Sequence, residues 1–159
     1  MTPEVVIRTA EERDLDDLAR FEVAIAEVSF GSEAVTDPSV HKGKLAKALD
    51  RDRESMFVAV DAADRAIGWL WFAVNTNFLT GQRYANFRSL AVTPGAASGR
   101  VGEALIEHAM AFAKSHGLAE VVGRVHVGND GMRVLYRKMG FEPVHLTMRR
   151  RLAGEDSGR

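Results

Sequence analysis

The alternation of apolar and polar positions along the chain lays out an ordered series of elements. Residues 4–10, EVVIRTA, concentrate β-branched positions in a short run and predict a strand. Residues 12–30 carry Leu15, Leu18, Phe21, Val23 and Ile25 at mostly helical spacing, so a helix follows. Asp37-Pro38 opens a second, less apolar helix over residues 39–50, because proline is compatible with a first helical turn. SMFVAVD and AIGWLWFAVN, joined by the turn AADR, predict an antiparallel hairpin, and YANFRSLAV (84–92) predicts the next strand. Val101, Leu105, Ala109, Phe112 and Ala113 form one face of a helix that ends at Gly117, a residue suited to a left-handed C-cap. A strand over 119–127, a short helix over 129–140 with Asn129 as its N-cap, and a last strand over 141–152 complete the pattern. Residues 153–159, AGEDSGR, are expected to be a disordered tail.

With no internal repeat, linker or low-complexity tract, a chain of 159 residues reads as one α/β domain over residues 1–152. The longest apolar runs, such as AIGWLWFAV, fall well short of the roughly 20 residues a membrane helix needs, and no basic leader precedes an apolar stretch. A cytoplasmic protein with no membrane partner is therefore expected. The absence of cysteine removes disulfides, thiolate zinc sites and cysteine nucleophiles. A net charge of −1 argues against a nucleic-acid partner, and the run Arg149 to Arg151 reads as a solvated strand end. His41, His108, His116 and His145 show no paired metal spacing, so no metal is expected.

One stretch carries a chemical suggestion. AVTPGAASGRVGEAL (91–105) follows a strand, bears Gly95, Gly99 and Gly102, and opens a helix whose first free amides and dipole suit an anion. It fits neither the G-x-G-x-x-G fingerprint nor the G-x-x-x-x-G-K-[ST] loop. Downstream, VHVGNDGMRVLYRKMGF (125–141) places Met132, Leu135, Tyr136 and Met139 on one helical face, which by spacing alone makes Tyr136 a core aromatic.

Together, Leu90, Val92 and Pro94 before the turn and Asn129, Leu135, Tyr136, Lys138, Gly140 and Phe141 after it resemble the GNAT superfamily of acyl-CoA-dependent N-acetyltransferases. The opening strand and helix, and Gly68 in AIGWLWF, extend the likeness over nearly the whole chain. The sequence departs from the family's R-x-x-G-x-G/A turn at Ala97 and Arg100, so that of the three signature positions only Gly102 matches. Backbone amides come from any residue but proline, and Ser98, Gly99 and Arg100 offer a hydroxyl, relief of crowding and a charge in place of the one missing at Ala97.

The resemblance implies a mixed, mostly antiparallel sheet of six to seven strands flanked by about four helices and splayed between its fourth and fifth strands. It implies acetyl-CoA as co-substrate, the pantetheine arm pairing with backbone groups of Leu90, Ala91 and Val92, and the Leu90 amide polarising the thioester carbonyl. The pyrophosphate would lie on Ala97, Ser98, Gly99, Arg100, Val101 and Gly102, with Asn129 contacting the arm. Tyr136 becomes the acid that protonates the departing thiolate, a phenol of pKa about 10 being able to donate there. The reaction expected is acetyl transfer to a primary amine of a small-molecule or peptide acceptor by direct attack in a ternary complex. The alternative is a catalytically weak acyl-CoA-binding or interaction module, and a homodimer fits the resemblance. For the proton of the acceptor amine, Glu22 and Glu27 on the first helix and His126 on the fifth strand are the candidate bases. Trp69 and Trp71, on one face of a strand, read as core or a dimer surface, with an acceptor-pocket wall as the lesser reading.

Overall fold

A computed structural model describes residues 5–95 and 97–152; the expected tail, 153–159, lies outside the described residues. Strand β1 (Val6–Thr9) leads through a 3-10 turn into helix α1 (Leu15–Phe30), and α2 (Pro38–Asp52) follows. The Asp37 carboxylate accepts the Ser39 amide at 3.0 Å and so caps α2, with Pro38 in its first turn. Strands β2 (Met56–Val60), β3 (Ala66–Thr76) and β4 (Arg83–Val92) form the antiparallel centre. Helix α3 (Ser98–Ser115), strand β5 (Glu120–Val122) and helix α4 (Asp130–Lys138) follow in the expected order. Gly117 adopts φ +66 just beyond α3, the left-handed stop its position suggested.

The sheet runs β1-β2-β3-β4-β5, antiparallel except for the parallel β4–β5 pair. Its two faces bury separate clusters. On one face, α1 and α2 cover Met56, Val58 and Trp69 with Leu15, Leu18, Leu45 and Leu49. On the other, α3 lays Val101, Leu105, Ile106 and Ala109 over Ala59, Leu70 and Phe72, with Tyr136 of α4 in the same cluster. Gly68 sets how close α3 lies: a Cβ there would come within 2.8 Å of both Leu105 Cδ1 and Val101 Cγ1. Trp69 is wholly buried, and Trp71 lies partly buried beneath the Arg88 guanidinium at 5.0 Å, so this pair belongs to the core side of the sheet.

Two expectations about strands are corrected. The described sheet has five strands, not six to seven, because residues 141–152 join no ladder. Val144, Leu146 and Met148 alternate as a strand's apolar face should, yet they are 68%, 80% and 83% exposed. Alternation reports what a strand could bury; it does not supply the surface to bury it against. The strand expected over 119–127 likewise shrinks to Glu120–Val122, since beyond Asn86↔Val122 the chain parts from β4.

Candidate functional site

That parting builds the site. β4 runs on for six residues past its last pairing with β5, leaving one side of Phe87 to Val92 without a strand. Which backbone groups face the gap follows from the other side of the strand. Thr93 donates its amide to the Ile67 carbonyl of β3 at 2.9 Å, so counting back in twos Ala91 and Ser89 also address β3, whereas Leu90 and Val92 turn their backbone groups into the gap. A register shift opposite Trp71 and Phe72 inserts Arg88 as an extra residue on β4. The resulting bulge lets Phe87, Leu90 and Val92 all pack toward the α3 face while Ser89 turns to α1.

The gap opens into a cleft of about 680 Å³ that brings together Leu90, Ala91, Val92, Ser98, Gly99, Asn129, Tyr136 and His126. Its chemistry is divided. The β4 wall offers unpaired backbone donors and acceptors; α3 enters with Ala97 as N-cap and no side-chain cap bond. The Ser98 amide is taken by the Gly95 carbonyl at 3.1 Å and the Val101 amide by Ala97; the Gly99 and Arg100 amides, in the same first turn at the positive end of the helix dipole, have no backbone acceptor among the described residues. An extended chain bearing amides could pair along β4 and end in an anion at α3, so the residues fit a pantetheine arm and its diphosphate.

The remaining turn positions are placed differently. Arg100 points to solvent and does not line the cleft; Val101 packs on Gly68; Gly102 lies against Leu135, where a Cβ would come within 2.7 Å of Cδ2. Gly102 thus serves helix packing between α3 and α4, and Ala97 joins the core beside it.

Tyr136 is 7% exposed, held between Phe87 (centroids 6.2 Å, near-parallel) and Phe141 (5.0 Å). Its hydroxyl makes no hydrogen bond among the described residues and lies over Gly123, a glycine the sequence reading passed over. Burial pushes its phenol above the ordinary tyrosine value, so it stays protonated at neutral pH. Asn129 caps α4 by accepting the Met132 amide at 3.2 Å while lining the cleft, which makes both roles foreseen for it compatible.

The three candidate bases separate. Glu27 is exposed and does not line the cleft. His126 lines it, but Nδ1 accepts the Gly128 amide at 3.0 Å, so the neutral ring carries its proton on Nε2 and has no free lone pair. Glu22 lies one residue behind the wall: its Oε2 accepts Ser89 Oγ at 2.6 Å and Trp69 Nε1 at 2.9 Å, and Ser89 lines the cleft. Ser89 escaped notice because a serine in NFRSLAV carries no spacing signal; only the bulge reveals its direction. Arg20, Arg88 and Arg124 line the mouth, and the carboxylate among them, Asp17, is already engaged by Arg20 and by Arg65 at 2.8 Å.

The acetyltransferase (GNAT) family model matches residues 16–141, most of the chain and all of the site just described. The chain belongs to the GNAT acetyltransferase family. A curated relative, the mycothiol acetyltransferase of Saccharomonospora viridis, is 31% identical over 96 residues, which cover 58% of this chain and 31% of that protein. The chain therefore matches about a third of its relative's length. Among solved structures, a putative acetyltransferase from Pyrococcus furiosus superposes with a TM-score of 0.71 at 19% identity, covering 94% of this chain and 100% of that one. A Trypanosoma brucei acetyltransferase gives 0.68 at 20% identity over 94% and 100% of the two chains. At such identities the likeness establishes the GNAT fold. The family's co-substrate is acetyl-CoA. No helix among the described residues is long and apolar enough to cross a membrane.

Proposed function

We propose that this GNAT protein transfers an acetyl group from acetyl-CoA to a primary amine by direct attack, with Tyr136 as the acid. The observation that carries the reading is that Leu90, Asn129 and the buried Tyr136 line one cleft between parted strands. The bound co-substrate supplies an activated thioester. Leu90 and Val92 hold the arm by backbone pairing, the first-turn amides of Gly99 and Arg100 meet the diphosphate, and the Leu90 amide faces the carbonyl oxygen where charge develops. Tyr136, kept neutral by burial, gives its proton to the departing sulfur.

The acceptor amine must first lose a proton. A lysine-like amine of pKa about 10.4 pays roughly 4 kcal/mol for this at neutral pH. Ser89 and Glu22 form the receiving pair: the serine proton points to Glu22 Oε2, so its oxygen lone pairs face the cleft and accept from the amine, and the carboxylate takes the relayed charge. The arginines at the mouth favour acceptors that also carry a carboxylate.

Calorimetric titration with CoA and acetyl-CoA, followed by thiol release against amines with and without a carboxylate, tests the reading. The relative named as a mycothiol acetyltransferase makes mycothiol-type acceptors one member of that panel. Tyr136→Phe is expected to lower kcat about 10²-fold, within the usual range for a positioned acid, with CoA affinity little changed. Binding without turnover on any amine would refute transfer, and full activity in Tyr136→Phe would remove its role.

A further inference from the structure

We infer, building on the transfer to an amine proposed above, that the acceptor is a free apolar amino acid whose carboxylate Arg88 binds beside the Ser89 hydroxyl that receives the amine. The cleft has two differently furnished halves. Tyr136 belongs to the half against α3. The half against α1 holds Ser89, Arg88 and a stripe of α1 side chains.

The bulge is what puts charge there. On a regular strand Arg88 and Ser89 would face opposite sides of the sheet. As the extra residue opposite Trp71 and Phe72, Arg88 instead shares a side with Ser89: its guanidinium lies 5.0 Å from the Trp71 ring centroid, and Trp71 packs on the α1 and α2 face to which Ser89 also turns. Stacking on the indole fixes the guanidinium without consuming its hydrogen-bond donors. Consecutive Cα atoms are about 3.8 Å apart, so a cation and a proton-accepting hydroxyl stand side by side, as carboxylate and amine do on one amino acid.

The charges match a zwitterion. Glu22 lies behind Ser89, its Oε2 2.6 Å from Oγ, and presents negative charge where the ammonium arrives. Asp17 is held by Arg20 and by Arg65, the latter at 2.8 Å, whereas no ion pair among the described residues engages Arg88 or Arg124. Arg124 lines the cleft from the β5 wall and offers a second cation to the same carboxylate.

The acceptor's side chain has a surface of its own. Phe21, Ala24, Ile25 and Val28 recur at spacings of three and four, so one stripe of α1 lines the cleft. Phe21 and Ile25 reach the core cluster, but Ala24 and Val28 are exposed, the valine by 50%, and leave apolar surface for a ligand to cover. An acceptor rich in hydroxyls would leave both the stripe and Arg88 unused. Transfer to the amino acid forms the amide N–C bond as the thioester C–S bond breaks. The amine's proton passes by way of Ser89 to Glu22, the sulfur takes its proton from Tyr136, and the products are an N-acetyl amino acid and CoA.

The probes are L-leucine and 3-methylbutylamine, which share the alkyl chain and differ in the carboxylate. In thiol release with acetyl-CoA, at equal concentrations of free amine, leucine is expected to have the higher kcat/KM. Arg88→Gln is expected to lower the ratio of the two about 10- to 100-fold, the range of a charge-assisted bond, mainly through KM for leucine, and Arg88→Lys to restore part of it. Calorimetric titration of leucine into the CoA-loaded protein reads the same site without chemistry. Binding is expected there, weakened about 10- to 100-fold in Arg88→Gln while CoA affinity and circular dichroism stay as they were. Val28→Asp is expected to reduce the preference for leucine over glycine. Equal turnover of the two probes, or a preference that survives Arg88→Gln, would overturn the inference and leave amine transfer standing. Leucine that neither binds nor reacts would overturn it as well. Arg88-dependent binding of leucine without turnover on any amine would do the reverse: transfer would fall and the amino acid site would hold.

Discussion

Replacing Gly123 by alanine perturbs the Tyr136 hydroxyl without touching any other group proposed to bond the substrates. An added Cβ would overlap the hydroxyl oxygen and lie 2.7 Å from Tyr136 Cζ and 3.1 Å from Phe87 Cδ2. Ordinary contact begins near 3.4 Å, so Cζ must retreat by about 0.7 Å and the hydroxyl by more. Retreat is opposed by Phe141, whose ring centroid lies 5.0 Å from that of Tyr136. Overpacking of this kind costs about 1–3 kcal/mol, and in a chain of this size each kcal/mol lowers Tm by about 2–4 °C. A displacement approaching 1 Å at a reacting group costs about 10²-fold in rate. Gly123→Ala is therefore expected to lose between about 10- and 100-fold in kcat, with CoA affinity nearly intact. The assay is thiol release combined with a double-mutant cycle through Tyr136→Phe. If displacement of the hydroxyl is the cause, Gly123→Ala has little further effect on kcat once the hydroxyl is gone, and the coupling equals almost the whole loss. Multiplicative losses in the double variant would refute the placement of Tyr136 as the acid.

Other positions yield shorter tests. Gly68→Ala drives a Cβ to 2.8 Å from both Leu105 and Val101, so chemical denaturation should show a loss of about 1–3 kcal/mol as α3 is pushed off the sheet. Burial raises the Tyr136 phenol above its usual value near 10, so the fold favours the neutral form. That contribution is complete below about pH 10 and is lost as pH rises from there through the higher folded value, and Tyr136→Phe should show a shallower alkaline fall in stability. Ser89→Ala breaks the 2.6 Å bond to Glu22 and should lower kcat/KM most at neutral pH, with recovery toward pH 10 where the acceptor amine is already free. An equal loss at every pH would reduce Ser89 to a structural role.

What was legible beforehand depended on whether a signal was local. Helical faces such as Val101, Leu105 and Ala109, caps such as Asn129 and Gly117, and the central strands follow from spacing and appear where expected. The cleft roles of Leu90 and Asn129 came from the resemblance alone, since groups facing a gap leave no mark in composition. Glycines carry packing roles that spacing does not show: a Cβ at Gly102 would meet Leu135 and Val92, so this turn glycine also sets how closely α4 approaches α3. Gly123 attracted no notice and turns out to make room for the hydroxyl of Tyr136.

The deeper source of error was topology. Periodicity states which side chains want burial, but two segments that both read as strands, β3 and residues 141–152, meet opposite fates because only β3 has helices and neighbouring strands on both sides. The bulge at Arg88 has the same character: one extra residue reverses the parity of β4, so Ser89 faces α1 and Leu90 the gap. A strict period-two reading from Phe87 would have exchanged them. The site thus rests on two breaks in regularity, the bulge that aims the wall and the parting of β5 that opens it. Both are properties of strand pairing rather than of any single residue. Deleting Arg88 would remove the bulge but leave Ser89 opposite Trp71 and Leu90 opposite Leu70, so the shortened, regular β4 should keep Ser89 toward α1 and the Leu90 amide toward the gap.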